Sequence, residues 1–339
     1  MKVLIYDTNN AFHTFGGKTT HALKMQQEIS KLGIDIQFAQ WWNKSQENAD
    51  IIHFLTPDIR VARLAKQKGM KTILSFIFDF ESNKSEWEKR KAILKNKIYD
   101  KLPGQFGLLA YWKAFPYMDR IHFMHQYDKE NAFRYFPNYL NENKSVLIPH
   151  AYDTADMYIS KELDIQDMKL PDKYLISVAN ISYRKQSIKL AQYAKKAQTP
   201  IVFIGSGNKQ DDYFRMFQKE IDNQYVFYPG YISKEWKDCI EAHASGYVLL
   251  SLGESGCIAV YEAAAYRIPL LLSNLPWAWG YENPTDIYFC KQEDEITAIH
   301  QLKEFYNKSR KMDHFPFTAY TWAEVALQYK EQYEQLLKS

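Results

Sequence analysis

Leu250–Asn274 reads LSLGESGCIAVYEAAAYRIPLLLSN. Its first residues continue an apolar run from Tyr247, so 247–252 is expected to be a strand buried on both faces. Gly253 and Glu254 break the run, helical spacing follows over Gly256–Tyr266, and Pro269–Ser273 is apolar again. Strand, helix and strand in so short a span make a βαβ unit, the building block of a parallel sheet covered by helices. In such sheets ligands gather outside the carboxyl ends of the strands. Glu254 stands at one such end, and Glu262 lies about two helical turns further along. The amides of Ser255, Gly256, Cys257 and Ile258 are the unpaired donors of a helix start and suit an anionic phosphate.

The same rhythm extends in both directions. Upstream in this half, strands are expected at Tyr174–Val178, Ile201–Ile204 and Tyr225–Tyr228. Helices are expected at Ser187–Lys196, Asp211–Ile221 and Lys234–Ala244. The first half alternates likewise: strands at Lys2–Tyr6, Ile34–Ala39, Ile51–Leu55, Lys71–Phe76, Ile121–Met124 and Val146–Ile148, with helices at Thr20–Leu32 and Ile59–Lys68. Amphipathic helices at 293–309 and 321–338 close the chain. The fold class is therefore α/β, with two doubly wound, Rossmann-like domains facing across a cleft. Residues 1–150 form the first domain, 151–172 a linker, 173–320 the second domain, and 321–339 a helix packing back towards the first.

Length and composition agree. A chain of 339 residues exceeds what one core usually holds. A net charge of +3 gives no electrostatic footprint of a nucleic-acid binder. Three dispersed cysteines exclude a disulfide scaffold and a Cys-x-x-Cys zinc site, and fit a reducing compartment. Neither a signal peptide nor a membrane span is visible, so a cytoplasmic location is expected. No P-loop or complete G-x-G-x-x-G is present, which removes the motifs of kinases and dehydrogenases.

The glutamates at 254 and 262, followed by EAAAY-R-IPLLLS, resemble the E-x7-E signature of retaining glycosyltransferases of family 4, which have the GT-B fold. Glu254, Ser255, Glu262, Ala263, Ala265, Pro269 and Ser273 keep that pattern, whereas Gly256, Cys257, Ala264 and Arg267 depart from it. Further stretches match in order: Gly16-Gly17 before a helix, Asp50-Ile-Ile-His53, IPHAYD at Ile148–Asp153, IGSG at Ile204–Gly207 and YPGY at Tyr228–Tyr231.

The resemblance implies an enzyme that transfers a hexose-type sugar from a UDP- or GDP-sugar to a glycan or lipid-linked acceptor, as in bacterial surface polysaccharide synthesis. It implies that Glu262 binds the ribose hydroxyls, that Glu254 contacts the donor sugar, and that the Gly16 and Gly17 amides face the diphosphate. Lys185 falls on the family's diphosphate-binding Lys. Asn180 occupies the position of its Arg, and adjacent Arg184 is the candidate to compensate. The family's His near the transferred sugar has no counterpart in Leu74–Phe80, where Asp79 is the candidate in its place, with His53 and His13 as others. No metal and no cofactor is expected, since no Asp-x-Asp pair is present. A nucleotide-sugar epimerase of related fold, or a catalytically weakened sugar-nucleotide-binding protein, would share most of these features. Finally, seven bases against three acids over Lys84–Lys101, with aromatics following, suit an anionic membrane surface.

Overall fold

The computed structural model describes residues 1–8, 16–40, 42–78, 83–102, 110–153 and 165–339, which divide into two compact units. Met1–His150 and Tyr320–Ser339 form unit 1, and Ala151–Ala319 forms unit 2.

Unit 1 begins with β1 (Lys2–Tyr6), α1 (Gly17–Lys31), β2 (Asp35–Phe38), β3 (Ile51–Phe54), α2 (Ile59–Gln67) and β4 (Lys71–Ser75). It continues with α3 (Glu86–Asp100), β5 (Arg120–Phe123), α4 (Gln126–Tyr135) and β6 (Ser145–Leu147). All its strands pair in parallel in the order β2-β1-β3-β4-β5-β6. Apolar residues alternate too little here to leave a wet face: β3 is buried along its whole length, as expected of a parallel sheet covered on both sides.

Unit 2 opens with the two-residue β7 (Ala151–Tyr152), then β8 (Leu175–Val178), α5 (Ser187–Lys196), β9 (Ile201–Ile204), α6 (Asp212–Gln218) and β10 (Val226–Gly230). There follow α7 (Lys234–His243), β11 (Gly246–Leu249), α8 (Ile258–Ala265), β12 (Leu270–Ser273), β13 (Ile287–Cys290) and α9 (Glu295–Lys308). Its parallel sheet runs β10-β9-β8-β11-β12-β13, the strand order of a dinucleotide-type Rossmann fold. Both units are thus doubly wound, and the α/β class read from periodicity holds. Within Leu250–Asn274 the helix starts at Ile258 rather than Gly256, because Gly256 turns through the left-handed region at φ 62°.

The chain then returns to unit 1 as β14 (Tyr320–Thr321) and α10 (Trp322–Lys338). Thr321 and Glu324 form a reciprocal capping box that starts the helix. Its buried face carries Trp322, Val325, Ala326, Tyr329, Tyr333 and Leu336. The two tyrosines enter a buried histidine network. His53 Nδ1 shares a hydrogen bond with the Tyr333 hydroxyl at 2.6 Å, and His53 Nε2 with Ser75 Oγ at 2.7 Å. Ser75 Oγ also bonds His122 Nδ1 at 2.8 Å, and the Tyr329 hydroxyl lies 2.9 Å from His122 Nδ1 and 3.2 Å from His21 Nε2. His122 Nε2 reaches the Ile148 carbonyl at 2.7 Å. Burial drives these imidazoles towards the neutral form: His53 falls to about 3 and His122 to about 4, and His21 lies well below its ordinary value, neighbouring imidazoles adding to the effect at His21 and His53.

Candidate active site

In the unit 2 sheet the strand order reverses between β8 and β11, and a crevice opens outside the carboxyl ends at such a switch point. The loops leaving these two strands carry Arg184 and Lys185 on one side and Glu254 on the other. Three contacts shape the first loop. Gly205 approaches Ala179 so closely that a Cβ would lie 2.1 Å from the Ala179 carbonyl oxygen, which leaves room only for glycine. Asn180 accepts a hydrogen bond from Ser206 Oγ at 2.8 Å. Gln186 turns through φ 53° and donates from Nε2 to the Tyr183 carbonyl at 2.7 Å, ending the loop just after Lys185.

The second loop is fixed from below. The Ser251 carbonyl accepts from Ser273 Oγ at 2.6 Å and from Trp277 Nε1 at 2.9 Å, and the Leu252 amide donates to the Arg184 carbonyl at 2.8 Å. The two loops are thereby clamped together. Glu254, only 7% exposed, receives Lys185 Nζ at 2.5 Å on Oε1 and Arg184 Nη1 at 3.1 Å on Oε2. Arg184 Nη1 also donates to the Gly253 carbonyl at 2.8 Å. Burial alone would raise the Glu254 carboxyl, but the Lys185 and Arg184 charges outweigh it and hold the group below the ordinary carboxylate range. Two cations and one ionised carboxylate therefore meet at the switch point. Next to them Cys257 starts α8 without a side-chain cap. Burial lifts its thiol to about 11, so it is a neutral packing group and not a nucleophile.

Glu262 enters a different cluster. Lys237 Nζ, from α7, lies 2.9 Å from Glu262, 3.5 Å from Glu241 and 4.0 Å from Asp238. Burial would lower the Lys237 ammonium, but Glu241, Glu262 and Asp238 together raise it, so it stays charged. Glu241 is completely buried, which pushes it to about 8 despite Lys237, and it carries a proton at neutral pH. Sequence reading missed Lys237: the pairing spans α7 and α8, and an amphipathic helix with several charges offers no signal for it.

In unit 1, Gly16 and Gly17 stand exposed at the start of α1. Lys18, one residue on, donates to Asp7 Oδ1 at 2.6 Å and Thr56 Oγ1 at 2.7 Å, joining the loops after β1 and β3 where that sheet reverses. This trio too was not singled out in the sequence. Asp79 and His13 lie outside the described residues. His53 engages both ring nitrogens in the buried network beneath α10. Among the described residues no group of His, Cys, Asp or Glu is arranged to hold a metal ion.

Residues 160–321, nearly all of unit 2, match the family model described as Glycosyl transferases group 1. The chain carries a glycosyltransferase domain. The enzyme's fold extends the likeness over both units. Sucrose-phosphate synthase from Thermosynechococcus elongatus aligns with a TM-score of 0.71 at 13% identity, over 99% of this chain and 98% of that one. Anabaena HepE, solved in complex with UDP and glucose, aligns at 0.65 and 11% identity over 99% and 100%. The lipopolysaccharide outer core galactosyltransferase WaaB aligns at 0.58 and 12% identity over 99% and 97%. At such identities the likeness concerns the fold, which the glycosyltransferase shares with GT-B enzymes. Among curated proteins none matches the sequence significantly.

Proposed function

We propose that this glycosyltransferase acts with retention of configuration, taking a hexose-type sugar from a UDP- or GDP-sugar and placing it on a glycan or lipid-linked acceptor in surface polysaccharide synthesis. The observation that carries the reading is the Lys185–Glu254–Arg184 cluster at the switch point of unit 2. A departing nucleoside diphosphate accumulates negative charge, and preorganised cations beside a helix start stabilise it by several kcal/mol, roughly. Glu254 keeps both cations aimed before the donor arrives, and its carboxylate is available to the sugar. Glu262, which accepts from Lys237 Nζ at 2.9 Å, is the acceptor for the ribose diol. HepE, a protein of this fold, was solved with UDP and glucose bound, which supports a nucleotide-sugar donor here. The same cluster supports chemistry without a divalent ion.

Helix α3 supports an acceptor carried at an anionic membrane. Trp87, Leu94 and Ile98 are exposed at 64%, 62% and 56%, and helical spacing puts them in one stripe with Lys91, whose Nζ lies 3.3 Å above the Trp87 ring. Arg90 and Lys97 flank the stripe on one side and Lys95 on the other. Lys89 is different: it is buried, donates to the Tyr127 hydroxyl at 2.8 Å, and cannot belong to a membrane-facing set. No helix among the described residues is long and apolar enough to cross a membrane.

Thermal shifts with nucleoside diphosphates and their sugars test the donor reading. Glu262→Ala should lose roughly 1.5–3 kcal/mol of nucleotide affinity. Glu254→Gln should weaken the sugar-bearing donor more than the bare nucleotide. Unchanged affinities in both variants, loss of activity with a chelator, or conversion of the donor sugar without an acceptor would each count against this function. Co-sedimentation with anionic vesicles, abolished by charge reversal at Lys91 and Lys95, tests the membrane part.

A further inference from the structure

Unit 2 contains a second hollow, of about 880 Å³, at the other edge of its sheet. Lys173, Pro269 and Asp286 line it, and each lies just before the amino end of a strand: β8, β12 and β13. Glu254 follows the carboxyl end of β11, so the two places are separated by a strand length, on the order of 10–15 Å. Most of the rest of the wall is Asn307–His314, the end of α9 and the segment that follows it. That segment is built in: the Met312 amide donates to the Arg267 carbonyl and Lys311 Nζ to the Tyr266 carbonyl, both at 2.9 Å, while buried Ser309 bonds Ser245 at 3.1 Å.

The chemistry of the wall is lopsided. Asp286 and Asp313 are the lining carboxylates, and both are occupied by His314, at 2.8 Å each. Lys308 is paired with Glu304 at 2.5 Å. Lys173, Arg310 and Lys311 have no carboxylate in ion-pair range among the described residues; Lys173 Nζ donates to the Asn307 carbonyl at 3.4 Å and Lys311 Nζ to that of Tyr266. Arg310 makes no hydrogen bond among those residues, leaving its planar fork open for a carboxylate or phosphate. Beside these cations stands Tyr288, 43% exposed and braced edge-on by Phe305 at 5.4 Å between centroids. A half-exposed aromatic ring lining the same hollow as the open Arg310 fork suits a charged sugar: its C–H face packs on the ring and its anion meets the guanidinium. The volume falls in the range of small-molecule sites.

We propose that this hollow is a saccharide site separate from the transfer centre, taking a sugar that bears a carboxylate or a phosphate. Its role as a second hold on an acceptor chain rests on the acceptor class proposed above; its existence as a binding site does not. Binding to the full chain is measured by calorimetry with UDP present to occupy the donor site. The probes are a hyaluronan tetrasaccharide, glucose 6-phosphate, maltotetraose and inorganic phosphate. At least one charged saccharide should bind about tenfold more tightly than both maltotetraose and inorganic phosphate, and which one does distinguishes carboxylate from phosphate. Arg310→Glu should weaken it by about tenfold or more, and Tyr288→Ala should weaken saccharide but not inorganic phosphate. Both variants should keep the parent thermal shift with UDP, which shows that they are folded. Equal binding of phosphate and saccharide, absence of binding, or binding untouched by either substitution overturns the proposal. Absence of a thermal shift with both UDP and GDP in the parent would instead sink the donor reading and leave this site standing.

Discussion

The histidine network predicts that unit 1 is unusually sensitive to mild acid. His21, His53 and His122 are fully buried and His125 nearly so, and burial depresses all four, His125 to about 4. The partners recorded for the first three are hydroxyls, a carbonyl and aromatic rings, with no carboxylate to welcome a proton. In the unfolded chain the same groups titrate near about 6.5. The unfolded state therefore binds more protons in the intervening window, and stability is fully present above that value and lost as pH falls towards the folded values. At pH 5.5, one unit below the unfolded value, each histidine costs about 1–1.5 kcal/mol, and the four about 5–6 kcal/mol. That is comparable to the whole stability of many domains. Urea unfolding from pH 8 to 5, with hydrogen exchange corrected for intrinsic rate, should show β3, β4, β5 and α10 losing protection first. Replacing His122 by Gln should remove about one proton from the uptake on unfolding, even if the variant is weaker at pH 8. An uptake of fewer than about two protons at pH 5.5 would refute the reasoning.

Unit 2 should respond in the opposite sense. Because Glu241 is raised from 4.5 to about 8, its contribution is complete below the ordinary carboxylate value and is lost as pH rises through 8, so Glu241→Gln should flatten a decline between those two values measured by thermal unfolding. Lys237→Met should destabilise unit 2 by about 3 kcal/mol by stranding the Glu262 carboxylate, and Glu262→Gln added to it should restore part of the loss. A double variant no more stable than the single one would contradict that account. At Arg267, φ 55° favours glycine, while the guanidinium lies 5.4 Å from the Phe315 ring centre. Arg267→Ala keeps the strain and loses the ring, so it should be less stable than Arg267→Gly by about 1 kcal/mol in a denaturant series; equal stabilities would show that the backbone is unstrained there.

Periodicity made the fold legible because parallel strands are written as local apolar runs and helices as local spacing. In Leu250–Asn274 the break at Gly253-Glu254 marks the turn after β11, and the following spacing marks α8. Elements with weaker local signals escaped: α4 carries Asp128 and Asn131 on its buried side, and β13 is half exposed. The site was legible only as a set of residues. That Lys185 and Glu254 touch across 69 positions, or that Lys237 sits on Glu262, follows from strand order and helix packing, to which local spacing is blind. Lys89 fails for the converse reason. Its composition says solvated base, yet helical phase turns it inward onto Tyr127, and snorkelling chains tolerate such a place only with a partner.

The return of α10 bears on how the chain is made. Unit 2 is continuous from Ala151 to Ala319, so every residue it needs has been synthesised before α10 emerges. Unit 1 has no such independence. His53 waits for Tyr333, 280 positions later, and until then a face of the first sheet and its buried imidazoles stand without their cover. Closing so long a loop comes late, because its entropy is lost before the contact rewards it. The half of the enzyme that is translated first is thus completed last, and a nascent chain released short of α10 would expose histidine and tyrosine surface to chaperones and proteases while unit 2 was already folded.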